Sequence, residues 1–136
     1  MKNIAIRENH LYKKAYIKGN KAYGKYTVIY VLKDLKAYKL KKENPRKEYI
    51  NRIGLAVTKK IGGAVVRNRV KRIIRAALHG VEKSYCLKKG NLVVISARED
   101  AAAAKSTDIY AEMIRQLTKL SLIQEKEPTV ASSEKQ

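Results

Sequence analysis

Apolar positions along the chain follow a helical period in some stretches and a strand period in others, and the switches between them mark the elements. Residues 8–18, "ENHLYKKAYIK", place Leu11, Ala15 and Lys18 on one side, with Tyr12 and Tyr16 one turn apart beside them. This predicts a short helix ended by Gly19. Residues 25–32, "KYTVIYVL", are dense in β-branched and aromatic types and predict a strand, with Tyr26, Val28 and Tyr30 on one face and Thr27, Ile29 and Val31 on the other. Residues 33–50 are polar and lysine-rich, which reads as a long exposed connection or an extended hairpin loop. A second strand is predicted at 51–58. Its row Ile53, Leu55, Val57 faces a core; its row Arg52, Gly54, Ala56, Thr58 is small, so that another backbone could approach it.

Gly62 and Gly63 then break the chain and open a helix carried to about His79, with Gly80 as its stop. Residues 91–97, "NLVVISA", form the near-continuous apolar run of a buried strand. An alanine-rich stretch leads to a final helix at about 105–122, with Ile109, Met113 (or Ile114), Leu117 and Leu120 as its stripe. From Gln124 onwards no periodicity remains, which predicts a disordered tail at 124–136 after a single domain at 1–123. The order is α-β-β-α-β-α. Its middle β-α-β invites a parallel pair with a crossover helix, and the fold class is an α/β (α+β) two-layer sandwich of a mixed sheet and helices.

Composition sharpens this picture. The chain has 136 residues, 45% of them apolar, enough for a real core. Its 31 basic and 12 acidic residues give a net charge of +19, and such self-repulsion is relieved by a polyanion. Nucleic acid is the first candidate partner and an anionic membrane surface the second. No apolar run approaches the roughly 20 residues of a membrane span, and the N-terminus lacks the apolar core of a signal peptide. Cys86 is the single cysteine, so no internal disulfide or cysteine metal set is available; an intracellular, cytoplasmic protein with a reduced thiol is expected. There is no Trp or Phe but there are nine Tyr, which serve either as core aromatics or as rings that stack on bases.

The helix after the double glycine carries the chemistry. Val66, Val70, Ile73, Ile74, Ala77 and Leu78 gather into one stripe, while Asn68, Arg69, Lys71, Arg72 and Arg75 fan over the other half and Arg67 stands at the stripe's edge. Arg67–Lys71 and Lys71–Arg75 are like-charged i,i+4 pairs, which oppose helix formation. Between Glu48 and Glu82 there is no acidic residue at all, yet Arg52, Lys59 and Lys60 add to the helix's cations. Phosphates would neutralise this face and release counterions. Arginine's planar fork suits folded RNA better than simple charge does.

Catalytic groups are harder to find. His10 and His79 stand far apart; His79 reads as a helix C-terminal dipole contact, and Glu99-Asp100 as a strand-end loop. No zinc spacing, phosphate-cradling loop or nucleophile elbow occurs. On chemistry alone the chain reads as a binder.

"RIGLAVTKKIGGAVVRNRVKRIIRAAL" (Arg52–Leu78) resembles the signature of the protein subunit of bacterial ribonuclease P: an Arg-Asn-Arg helix that follows, after a glycine loop, a strand ending in Thr-Lys-Lys. "NLVVISARED" resembles the family's third strand and outgoing loop, and the likeness covers about residues 5–122. The resemblance implies a fold like the second domain of a ribosomal small-subunit protein, with a left-handed β-α-β crossover, against the usual right-handed rule. It also implies an endoribonuclease whose catalytic groups lie in an RNA partner with bound Mg²⁺, and which removes the 5′ leader of precursor tRNA. No membrane and no obligate protein partner are expected. By position, Arg67, Asn68, Arg69, Lys71, Arg72 and Arg75 match the RNA-docking helix, and Thr58, Lys59 and Lys60 the strand-end triplet. Tyr12, Tyr16 and Tyr30, with Arg52, match a cleft for the single-stranded leader. The chain departs from the pattern in using tyrosine for phenylalanine and in a longer, more basic 33–50 connection, either a plain insertion or an added RNA contact.

Three other readings compete. A structural ribosomal protein shares the fold and charge, and co-purifying RNA separates it. A helix-turn-helix DNA regulator needs a second helix at short spacing before the basic one, and none is present. A self-sufficient nuclease needs an acid–base set that the sequence lacks.

Overall fold

The structure is a computed structural model that describes residues 4–6, 9–33, 51–88 and 90–125. Its elements are β1 (Ile4–Ala5), α1 (Asn9–Lys18), β2 (Asn20–Tyr23), β3 (Thr27–Lys33), β4 (Arg52–Ala56), a 3₁₀ turn (Lys59–Ile61), α2 (Ala64–Ser84), β5 (Tyr85–Leu87), β6 (Asn91–Ala97), a second 3₁₀ turn (Glu99–Ala103), α3 (Ser106–Lys119) and β7 (Ile123–Glu125). One mixed sheet has the order β1-β4-β6-β3-β2, and β5 and β7 form a separate antiparallel pair. As the β-α-β order implied, β4 and β6 are parallel; β3 runs antiparallel to β6, and β2 to β3. Among the described residues no helix is long and apolar enough to cross a membrane. Most of the expected 33–50 connection, and the tail beyond Glu125, lie outside the described residues.

Strand β6 is apolar from Leu92 to Ile95 because both its faces are covered there, and these four residues are all buried. Its odd positions, Val93 and Ile95, join Ile29 and Val31 of β3 against α2 and α3. Its even positions, Leu92 and Val94, face α1 together with Ala15, Tyr12 and Tyr16. Asn51, fully buried at the start of β4, locks the parallel register: its Nδ2 donates to the Lys88 carbonyl (2.9 Å) and its Oδ1 accepts from Asn91 N–H (3.0 Å).

The α2 stripe forms as expected, with Val70, Ile74 and Ala77 buried and Val66, Ile73 and Leu78 packed partly against them. The expected stop at Gly80 does not occur, and the helix runs on to Ser84. A mid-helix glycine costs about 1 kcal/mol, whereas burying Val81 completely returns about 1.5–3 kcal/mol. Gly80 is needed for a different reason: a Cβ there would stand 3.1 Å from two ring carbons of Tyr110, so the missing side chain lets α3 come close. Helix α3 buries Ile109, Met113 and Leu117 and ends before the expected 122. Ser121, at φ 59°, turns the chain out of the helix while Leu122 N–H reaches the Leu117 carbonyl (2.9 Å) and Ser121 N–H that of Thr118 (3.0 Å). The chain thereby continues into β7 at Ile123–Glu125, where the tail was expected.

Two polar residues on α3 tie the last helix to the first hairpin. Glu112 and Gln116, both 3% exposed, lie against the β2–β3 turn. The Glu112 carboxylate accepts from the backbone N–H groups of Lys25, Tyr26 (3.1 Å) and Thr27 (3.0 Å). Gln116 Nε2 donates to the carbonyls of Ala22 (3.0 Å) and Thr27 (2.8 Å). The Thr27 hydroxyl lies 3.2 Å from Glu112 Oε2 and 3.1 Å from Gln116 Oε1, and donates its one proton to either. Replacing Glu112 by Ala strands several buried donors and is expected to cost about 3 kcal/mol, read as a lowered urea midpoint at unchanged m-value.

Candidate nucleic-acid interface

The basic surface begins where β4 ends. Thr58, Lys59 and Lys60 are exposed, and Ile61 turns inward to the core. Gly62, at φ 152°, then makes a bend that a side chain would strain, and a Cβ there would press on Val66 at 3.0 Å. Gly63 caps α2 with no side chain, leaving the first N–H groups of the helix without a covering residue. Along α2, Asn68, Arg72 and Arg75 are exposed, Lys71 is half-buried, and Val65 at 84% exposure is an apolar residue amid cations.

The two outer arginines of the Arg-Asn-Arg motif behave differently from this row. Arg69 turns its fork inward: Nη1 donates to the Ala102 carbonyl and Nη2 to that of Ala104, both at 2.9 Å, clasping the second 3₁₀ turn to α2. Arg67 falls within about 20° of both Ile74 and Leu78 around the helix, at the edge of the apolar stripe. Its stem is half-buried and its Nε is a buried donor with no hydrogen-bond partner. Beside this surface, Thr58, Lys60 and Ile61 face Ala97, Arg98, Glu99 and Asp100 across a depression of about 370 Å³ at the ends of β4 and β6. Glu99 and Asp100, expected in a strand-end loop, thus stand in the first turn of a 3₁₀ helix beside the cations.

The aromatic residues assemble on the opposite face of the sheet. Tyr12 lies directly over Gly54, where a Cβ would overlap its ring, so the small row of β4 receives a ring and not the backbone that its size had suggested. Tyr16 meets Tyr30 edge to face, with centroids 4.8 Å apart and planes at 72°. Arg52 is half-buried and pairs with Leu92, on the row adjoining Gly54 and Val94. Lys21, which the sequence reading passed over, holds its Nζ 5.7 Å from the Tyr30 centroid. Its signal was obscured because "NKAY" has little strand character; only the hairpin register, which pairs Lys21 with Tyr30, reveals it.

Burial pushes the phenols of Tyr12, Tyr16 and Tyr30 above their ordinary value of 10.0. For Tyr16 the neighbouring Tyr30 and Tyr12 add to this and a hydrogen bond with Ser96 opposes it; for Tyr30 the neighbour is Tyr23. These rings are therefore neutral at physiological pH and set no negative charge against a phosphate. Among the described residues, no group of three or more His, Cys, Asp and Glu side chains could hold a metal.

A family model described as Ribonuclease P matches residues 1–121. The ribonuclease P protein component of Clostridium acetobutylicum is 37% identical over 123 residues, covering 90% of this chain and 93% of that protein. That of Listeria innocua is 33% identical over 116 residues, covering 85% and 87%. Among solved structures, the Staphylococcus aureus RNase P protein superposes with a TM-score of 0.67 at 23% identity, over 90% of this chain and all (100%) of that one. The Thermotoga maritima RNase P protein gives 0.61 at 18% identity, over 85% and 94%. At these identities the structural likeness speaks for the fold.

Two measurements check the geometry. Arg69→Ala should lower stability by about 2 kcal/mol in urea unfolding, because two charge-assisted bonds are lost, whereas exposed Arg72→Ala should stay within about 0.5 kcal/mol. The raised phenols contribute stability that is whole below pH 10.0 and is lost as pH rises through their folded values. Replacing Tyr12, Tyr16 and Tyr30 together by Phe should therefore flatten the alkaline fall in unfolding free energy relative to the natural chain.

Proposed function

Because this chain belongs to the ribonuclease P protein family, as the protein component of a ribonucleoprotein endoribonuclease whose catalysis lies in the RNA, we propose that its two surfaces serve two different RNAs. The exposed row of α2, with Thr58, Lys59 and Lys60, docks on the catalytic RNA. The tyrosine cleft on the other face, with Arg52, holds the single-stranded 5′ leader of precursor tRNA. The protein thereby supports removal of the leader, in the cytoplasm where tRNA precursors are made.

The observation that carries this reading is the separation of the two clusters by the sheet: β6 turns Val93 and Ile95 to the α2 side and Leu92 and Val94 to the tyrosine side. One protein can then bridge two RNAs without the sites competing. On α2, phosphates relieve the like-charged pairs, and the exposed Asn68, Arg72 and Arg75 present the donors that meet them. In the cleft, base stacking on aromatic rings is sequence-tolerant and worth about 1–3 kcal/mol per base, which suits leaders of many sequences. Arg69 contributes chiefly by fixing the second 3₁₀ turn against the docking helix. Mg²⁺ is taken to be bound mainly by the RNA, and the protein supplies positioning and charge neutralisation.

The test is reconstitution at low Mg²⁺ with a bacterial ribonuclease P RNA and a 5′-labelled precursor tRNA. Leader release should require both protein and RNA; release by the protein alone would overturn the reading. Arg72→Ala and Arg75→Ala should weaken binding of the catalytic RNA and reduce the slope of log K against log salt by about 1 each. Tyr16→Ala should weaken precursor tRNA by about tenfold while leaving mature tRNA affinity in place. Both defects in one binding step would refute the division into two surfaces.

A further inference from the structure

Edge strand β2 extends the tyrosine face beyond the residues that the sequence motif marks. Antiparallel partners share a face, so the pairs Lys21–Tyr30 and Tyr23–Val28 put Lys21 and Tyr23 on the side of Tyr30 and Tyr16. The four rings differ in what is left of them. Tyr12 is laid over Gly54, Tyr16 and Tyr30 pack edge to face, and the Lys21 ammonium sits over Tyr30. Tyr23 is 67% exposed, and among the described residues it is the one exposed aromatic. Its ring stands uncovered on a sheet edge, on the same face as the Lys21 ammonium over Tyr30, and a free ring face with a cation on the same surface is the pairing that stacks a base and meets its phosphate.

Resting on the leader-cleft reading, we infer that Tyr23 and Lys21 form a further nucleotide site, with Tyr23 stacking a base of the leader and Lys21 meeting its phosphate. Its place in the order of nucleotides follows from the sheet. β4 runs directly into the basic turn and α2, where the catalytic RNA docks, and β2 lies three strands away across β6 and β3. At strand spacing that is about 14 Å. A leader crossing from Tyr12 over Tyr16 and Tyr30 therefore reaches Tyr23 last, at the end remote from the scissile bond. The site adds affinity for long leaders and gives the complex a means of ranking precursors by leader length.

The experiment uses the reconstituted holoenzyme and precursor tRNAs whose leaders are lengthened one nucleotide at a time. Affinity should climb with leader length. Tyr23→Ala should remove the last part of the climb, about tenfold, while Tyr23→Phe keeps it. Lys21→Ala should lower the same part and reduce its salt dependence. Tyr23 is exposed, so the substitution leaves the core in place, which circular dichroism and urea unfolding verify. An unchanged curve for Tyr23→Ala, with Tyr16→Ala still cutting the climb, would sink this inference and leave the cleft standing. If neither variant altered the curve, the cleft reading itself would fall and take the inference with it. A loss equal at every leader length, or weaker binding of the catalytic RNA without tRNA, would overturn it by placing Tyr23 against another partner.

Discussion

In a chain of net charge +19, a buried carboxylate would be expected to take an arginine or lysine as its partner. Glu112 takes the backbone N–H groups of residues 25–27 and the Thr27 hydroxyl instead. Such a nest holds negative charge with neutral dipoles. Gln116 completes the joint by gripping carbonyls on both strands of the hairpin. The orientation of β2 and β3, and so of Lys21, Tyr23 and Tyr30, depends on this one joint. It also draws no side-chain cation away from the surface that an RNA would meet.

The basic helix α2 illustrates the opposite bargain. Its apolar stripe is paired with a surface of like charges, so the helix is held by burial on one side while its other side repels itself. Burial wins because Val70, Ile74, Ala77 and Val81 are sealed at 2% exposure or less, each worth more than a surface pair can take away. The motif arginines then divide their labour. Arg69 ends in a structural clasp and Arg67 in a half-buried stem, which leaves Arg72 and Arg75 as the outward forks.

Much of this was legible in the sequence where periodicity and burial coincide. The runs at 27–33 and 91–97 are strands, the parallel β4–β6 pair follows from a β-α-β order, and the basic helix declares itself by its stripe. The misses share a cause: they are set by partners distant in the chain. "NKAY" becomes a strand because β3 pairs with it, and the helix runs through Gly80 because Val81 beyond it is buried in the common core, while Tyr110 takes the room a side chain at 80 would fill. Glu112 and Gln116 lie outside the apolar stripe of the last helix, and it is the hairpin closing on them that buries them. Arg69 looks like one more surface cation, and its carbonyl partners lie 33 and 35 residues away. Tyr12 and Tyr16 were visible as a pair, yet nothing local shows that Gly54 is the floor beneath one of them.

The distance between Glu112 and its hairpin has a consequence for how the protein is made. The aromatic face is drawn largely from the first thirty or so residues, but its hairpin is bonded to residues 85–87 positions later, and β3's inner edge pairs only with β6. During synthesis from the N-terminus, a ribosome therefore releases the hairpin and α1 long before the elements that lock them exist. Until α3 emerges, a strongly basic and partly apolar hairpin stands beside ribosomal RNA without the Glu112 and Gln116 joint that fixes it. The fold completes the tyrosine face of the molecule last, although most of it is translated first.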